Sequence, residues 1–283
     1  MFMSIYHPMA VVILKLYNDI KLQLMREIND IKKMQTIYSK NDEFVYKSMI
    51  KVSNKISGAI LTDFKDCNIV FNIFNKDFSH KTQSTNREDE RFRLIFTPID
   101  SPINYSRGLG FFGSTFTLQE KIESLNTYKN IFTLIFTQYD NQDFVIYTQN
   151  QIDSNWVYVN EKMVKISFKT AFSISNLCFS RFAFVPEHTA NKYKESISKV
   201  INSCNNFIVT ESNAFSTGLL VNSAIDGLIL IKQKPIDLLA SFMITNNLGF
   251  FTNLTEKNFQ DILSQDEIDL IALSKECFHK LSI

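Results

Sequence analysis

Apolar residues change their spacing twice along this chain, and that order of spacings narrows the possible architectures more than any other feature. From Met9 to Tyr46 they recur at three- and four-residue steps, through Val12, Leu16, Ile20, Leu24, Ile28 and Ile31. This is the stripe of an amphipathic helix. A second stripe with Phe44, Met49, Val52 and Ile56 predicts another helix. Cys67–Phe74 then reads as a strand, and the polar stretch Asn75–Arg91 as a mobile loop. Short apolar runs follow at Leu94–Phe96, Phe111–Leu118, Ile131–Phe136, Phe144–Thr148, Trp156–Val159 and Val164–Phe168, which predict a meander of strands. The last part alternates. A strand at Leu177–Val185 precedes a helix at Pro186–Asn205, a strand at Phe207–Val209 and a helix at Asn213–Ala224. A strand at Gly227–Ile231, a helix at Pro235–Asn247 stopping at Gly249, and a terminal helix at Glu267–Leu281 complete it. Helices, then a meander, then alternation predict a layered α+β fold with two sheets.

Composition excludes several classes of function. The 283 residues carry 30 Lys and Arg against 29 Asp and Glu, so no general field pulls the chain toward nucleic acid or anionic lipid. With only 7 Gly, glycine-rich phosphate loops are nearly excluded. None of Cys67, Cys178, Cys204 and Cys277 sits in a C-x-x-C pair, and His7, His80, His188 and His279 are scattered. A zinc cluster or disulfide framework is not expected, and reduced thiols in a cytoplasmic protein are. The apolar run Met9–Leu14 stops at Lys15, too short to cross a bilayer. The opening stretch is expected to be an amphipathic helix rather than a leader or a membrane segment.

Four stretches carry a resemblance. "TPIDSPINY" (Thr97–Tyr105) resembles the D-P-x-D-G-[ST]-x-N-[FY] signature of the inositol monophosphatase family. "KPIDLLASFMITNNLGFF" (Lys234–Phe251) is similar to that family's later W-D-x-[AS]-[AG] helix. "AIDGLILIKQKPID" sets Asp226 and Asp237 at the family's spacing, and "NEKMVKIS" (Asn160–Ser167) looks like its N-G-x-x-[IL]-x-[VS] hairpin. The resemblance runs over residues 1–283 as one domain, with helices and the large sheet in 1–170 and an α/β half in 171–283. It implies an αβαβα layered sandwich with two mixed or antiparallel sheets. It also implies Mg²⁺-dependent hydrolysis of a small phosphate monoester such as inositol monophosphate, and a homodimer of the family's kind.

Carried over residue by residue, the resemblance implies metal ligation by Asp100, by the Ile99 carbonyl, by Asp237 and, under one gap placement, by Asp77. Ser101 would meet the substrate phosphate. No catalytic residue is assigned. The family's bridging Asp falls on Thr97, whose neutral hydroxyl cannot replace an anionic bridge, and Pro102 lacks an N–H to offer phosphate. The site is therefore degenerate, and Mg²⁺ binding is expected to be weak or absent. Three classes follow: a phosphatase with activity lost or strongly impaired, an active monoesterase using Asp77, Asp100 and Asp237, and a non-catalytic binding or regulatory scaffold. Away from the resemblance, Glu88–Glu90 reads as a solvated charge run, Trp156 as a hairpin packing residue, and Lys232 and Lys234 as a solvated basic turn.

Overall fold

The computed structural model describes residues 54, 58, 69–75, 78–83, 92–97, 99–101, 104, 109–125, 127–139, 142–151, 154–180, 183, 191–259 and 266–281. Apart from Asn54 and Gly58, both helical, the two N-terminal stripes lie outside them. So do Asp77, Glu88–Glu90, Pro102 and Cys67.

Sheet A is built from β1 (Ile69–Asn75), β2 (Phe78–Gln83), β3 (Phe92–Thr97), β4 (Gly113–Ile122), β5 (Thr127–Tyr139), β6 (Gln142–Gln151), β7 (Ser154–Val159) and β8 (Lys162–Met163). The spatial order is β2-β1-β3-β4-β5-β6-β7-β8. β1 runs parallel to β3, and every other neighbour pair is antiparallel. Consecutive strands from β3 onward are neighbours, as short hairpin connections require.

Sheet B comprises β9 (Asn176–Ser180), β10 (Asn206–Thr210), β11 (Gly227–Gln233), β12 (Phe251–Thr252) and β13 (Ile268–Leu273), in the order β10-β9-β11-β13-β12. β9 is parallel to β10 and β11, and β13 is antiparallel to β11 and β12. Both sheets are thus mixed. The described helices are α1 (Asn191–Ser203), α2 (Asn213–Val221), α3 (Pro235–Asn247) and α4 (Lys275–Lys280).

Core composition follows from strand alternation. One face of sheet B, through Cys178, Leu228, Leu230, Leu270 and Ala272, packs on Phe215, Leu219, Leu238 and Phe242 of α2 and α3. The opposite face, through Leu177, Phe179, Ile229, Ile271 and Leu273, packs on Ile197 and Val200 of α1 and Cys277 of α4. Ile135, Ile146 and Val157 of sheet A meet Ala214 and Val221 of α2 and Ala240 and Ile244 of α3. The described layers therefore run sheet A, α2 and α3, sheet B, α1 and α4. Lying between two sheets, α2 and α3 have no broad solvent face to fill with charge. Every residue of α2 is buried, as expected of a helix enclosed on all sides by a core.

Four expectations need correction. The polar stretch after β1 is not all loop: β2 pairs antiparallel with β1 over Phe78–Gln83, and an edge strand tolerates polar side chains. Glu267–Leu281 is not one helix. Ile268–Leu273 is a strand of sheet B, and the helix starts at Lys275 behind the N-cap Ser274. A short apolar run such as "IDLIAL" suits either element, and burial between two layers selected the strand. Residues 164–168 form no strand, since the hairpin partner β8 ends at Met163. β9 spans Asn176–Ser180 and Ala183 is already outside any strand, while Val185 lies outside the described residues.

The α3 end behaves as expected. Gly249, at φ +87°, donates its N–H to the Asn246 carbonyl, and Phe250 donates to Thr245. This paired closure with a left-handed glycine is the Schellman arrangement.

Candidate functional site

The loop that carries the signature resemblance leaves the end of β3 and returns at the start of β4. Its base is clamped by one pair of residues. The Asp100 N–H donates to the Gly113 carbonyl at 3.0 Å, and the Gly113 N–H donates back to Asp100 Oδ1 at 2.8 Å. Gly113 fits because the backbone passes so close to its neighbours. A Cβ there would lie 2.5 Å from both Ala214 Cβ and the Phe136 carbonyl oxygen. Further round the loop, Asn104 Nδ2 donates to the Phe111 carbonyl at 2.7 Å, and the Phe111 ring lies against Phe215 of α2.

Asp100 is buried, at 2% exposure, and its carboxylate faces the start of α2. Ala214 N–H donates to Oδ2 at 2.7 Å, and the Ser212 hydroxyl lies 2.9 Å from Oδ1 and 2.7 Å from Oδ2. Ser212 is also the N-cap of α2, its Oγ accepting from the Phe215 N–H at 2.9 Å. An ionised carboxylate offers about four lone-pair directions. Gly113 meets Oδ1, Ala214 meets Oδ2, and the one Ser212 hydroxyl proton lies between the two, so three donors face about four lone-pair directions. The negative charge sits where the helix presents unsatisfied amides and the positive end of its dipole.

Asp237 lies in the first turn of α3, where an acid is favoured by the same dipole, and it is also buried. Asn213 joins the two helix starts, its Nδ2 lying 3.3 Å from both the Asp237 carbonyl and Gln233 Oε1. Asp100 and Asp237 thus flank a single turn, the first of α2. Ile99 and Ser101 are buried beside Asp100. Thr97, at the end of β3, is buried too, and its hydroxyl has no hydrogen-bond partner. Lys232 takes a left-handed conformation (φ 52°) at the β11 bulge, where its N–H donates to Asp269 Oδ1 and its Nζ lies 4.0 Å from Glu267. Lys234 is the N-cap of α3. Trp156 lies in the β6–β7 hairpin opposite Gln149 and is 44% exposed.

A second polar group braces the α2 start from below. The Thr210 and Ser216 hydroxyls lie within hydrogen-bond reach of the Ser212 carbonyl and of each other. The Cys178 thiol of β9 reaches Ser216 Oγ at 3.3 Å and, more distantly, Thr210. Burial pushes the Cys178 thiol up, outweighing the lowering by those hydroxyls, so it is a neutral thiol near pH 7 and a poor nucleophile.

The described residues do not gather the ligands for a pair of magnesium ions. Mg²⁺ takes oxygen ligands in near-ideal octahedra and would be held here, by resemblance, through carboxylates. At Asp100 three protein donors already occupy most of the acceptor directions, and Thr97 offers a neutral hydroxyl. Among the described residues no group of three or more His, Cys, Asp or Glu is gathered for a metal. Nothing in the resemblance points to Ser212, Asn213, Ala214 or Gly113 as parts of this site. The one available signal in the sequence is the Ser212 N-cap immediately before the helical pattern at Asn213.

No family model matches the sequence, and comparison with curated proteins gives no match. Solved structures do match. The extragenic suppressor protein suhB from Bartonella henselae aligns with a TM-score of 0.70 at 13% identity, covering 97% of this chain and 98% of that one. Inositol monophosphatase II from Staphylococcus aureus gives 0.65 at 12%, covering 95% and 92%. A hypothetical protein from Pyrococcus horikoshii, described as having similarities for inositol-1 monophosphatase, gives 0.65 at 15%, covering 96% of each chain. At these identities the likeness is one of architecture, and the chain has the inositol monophosphatase fold.

Proposed function

We propose that this chain is a non-catalytic relative of the inositol monophosphatases, its ancestral Mg²⁺-dependent hydrolysis of small phosphate monoesters lost or strongly impaired, and that it serves as a binding or regulatory scaffold. The observation that carries the reading is the Asp100 carboxylate, whose oxygens are taken by Gly113, Ser212 and Ala214. Thr97 in place of a bridging acid supports it. Phosphoryl transfer depends on positioning and on electrostatic stabilisation of the transferring group. Loss of one preorganised donor alone costs about 10²–10³ in rate. Magnesium binding at this loop is accordingly weak or absent.

The remaining expectations belong to the same proposal: a single domain over 1–283, a homodimer, a cytoplasmic location, and no direct nucleic-acid partner. No helix among the described residues is long and apolar enough to cross a membrane.

The test is phosphate release from inositol monophosphate by the purified full chain with Mg²⁺ at neutral pH. No release above the protein-free control is expected. Robust turnover, abolished by Asp100→Asn, would overturn the reading in favour of a monoesterase using Asp77, Asp100 and Asp237.

A further inference from the structure

A buried carboxylate at a helix start has several possible uses, and the position of Asp100 distinguishes among them. It belongs to the end of sheet A, since it follows β3 and is clamped to the first residue of β4. Its other partners belong to α2, more than a hundred residues later in the chain. From Ser212 the hydrogen bonds continue without a gap. The Ser212 carbonyl receives Thr210 of β10 and Ser216 of α2, and Ser216 receives Cys178 of β9. All of these side chains are buried. A single polar chain therefore runs from sheet A, through the α2 start, to sheet B.

We propose that Asp100 is an internal latch: its carboxylate is the anion that the α2 N-terminus holds, it fastens the two sheets to each other through α2, and it can ligate a divalent cation only if α2 lets go. The inference deepens the non-catalytic reading at the same residues and rests on it. It sets metal binding at Asp100 in competition with native packing of α2, because a cation would draw on lone pairs that the Gly113, Ser212 and Ala214 donors hold.

Two properties follow. Removing the carboxylate leaves the Gly113 and Ala214 amides and the Ser212 hydroxyl buried around a small space, which a small external carboxylate can fill. A cation that competes for Asp100 gains nothing from the folded state, so Mg²⁺ has no stabilising linkage there.

The experiment uses the full chain, its Asp100→Ala and Ser212→Ala variants, and the double variant, with thermal midpoints measured in sodium formate and in ionic-strength-matched sodium chloride. Asp100→Ala is expected to melt roughly 6–10 °C below the wild type, with formate recovering part of that fall saturably while leaving the wild type unmoved. Ser212→Ala is expected to melt lower as well, and the double variant to lose less than the sum of the two falls. If Asp100→Ala does not fold, Ser212→Ala still decides: a midpoint equal to the wild type would overturn the latch. So would additive falls, formate acting equally on wild type and variant, or a rise of the wild-type midpoint in MgCl₂ that Asp100→Asn abolishes. Hydrolysis of inositol monophosphate with the latch results intact would sink only the non-catalytic reading. Absent hydrolysis with indifferent variants would sink only the latch.

Discussion

Asp100 and Asp237 are both buried acids at the starts of neighbouring helices, yet they are held in different ways. Asp237 is part of the helix it serves, in the first turn of α3. Asp100 serves a helix to which it does not belong, and its donors come from two separate elements. An acid within its own helix adds a local dipole interaction, typically below about 1 kcal/mol. An acid that caps a distant helix fixes tertiary structure, and its removal strands several buried donors at once. The contrast teaches that two buried acids at neighbouring helix starts can serve different levels of structure, one local and one tertiary.

The comparison can be broken most directly by Asp100→Asn. An amide group turns a donor toward donors, and stability should fall by about 3 kcal/mol or more, in line with breaking a buried charged hydrogen-bond set. Chemical denaturation measures it. Gly113→Ala attacks the same clamp from the backbone side. The clash with Ala214 and the Phe136 carbonyl should cost about 2–3 kcal/mol, with the loop base loosening in hydrogen exchange. Asp237→Asn should cost about 1 kcal/mol at most, and an effect as large as that at Asp100 would erase the distinction. Thr97→Val is the smallest change. Removing a buried hydroxyl with no hydrogen-bond partner should leave stability unchanged or raise it by up to about 1 kcal/mol. A marked loss would mean that the hydroxyl has a role in the folded protein.

Much of the architecture is legible in the chain. The α2 and α3 spans rest on local signals: Ser212 before the first helical residue, Pro235 at the start, and Gly249 after the end. The β3–β8 meander follows from spaced apolar runs. Legibility ends where local pattern is ambiguous, as at Ile268–Leu273, where only burial on both faces distinguishes strand from helix. The pairing of β2 is equally hidden, because a polar edge strand lacks an apolar face to announce it. At the site, the two acids that the resemblance singles out are visible as Asp100 and Asp237, but their use is not. The partners of Asp100 lie across the sheet interface at Ser212 and Ala214, and no spacing rule connects residues so far apart in sequence. Ser101 likewise matches a substrate-contacting position, and its burial depends on how the loop closes.

The unpartnered Thr97 hydroxyl, three positions before the latch, bears on how such a protein could change again. A substitution to Asp at this position would place a second carboxylate in a buried site, close to one already committed to α2, before any cation was bound to offset it. Isolated buried charge of that kind costs several kcal/mol, against a total stability of about 5–15 kcal/mol for an ordinary domain. Thr97→Asp together with Pro102→Thr should raise metal affinity more than turnover, which calorimetry and phosphate release would measure side by side. The step at Thr97 thus passes through a less stable protein unless a cation is bound at the same time, so stability and metal affinity pull in opposite directions at this one position.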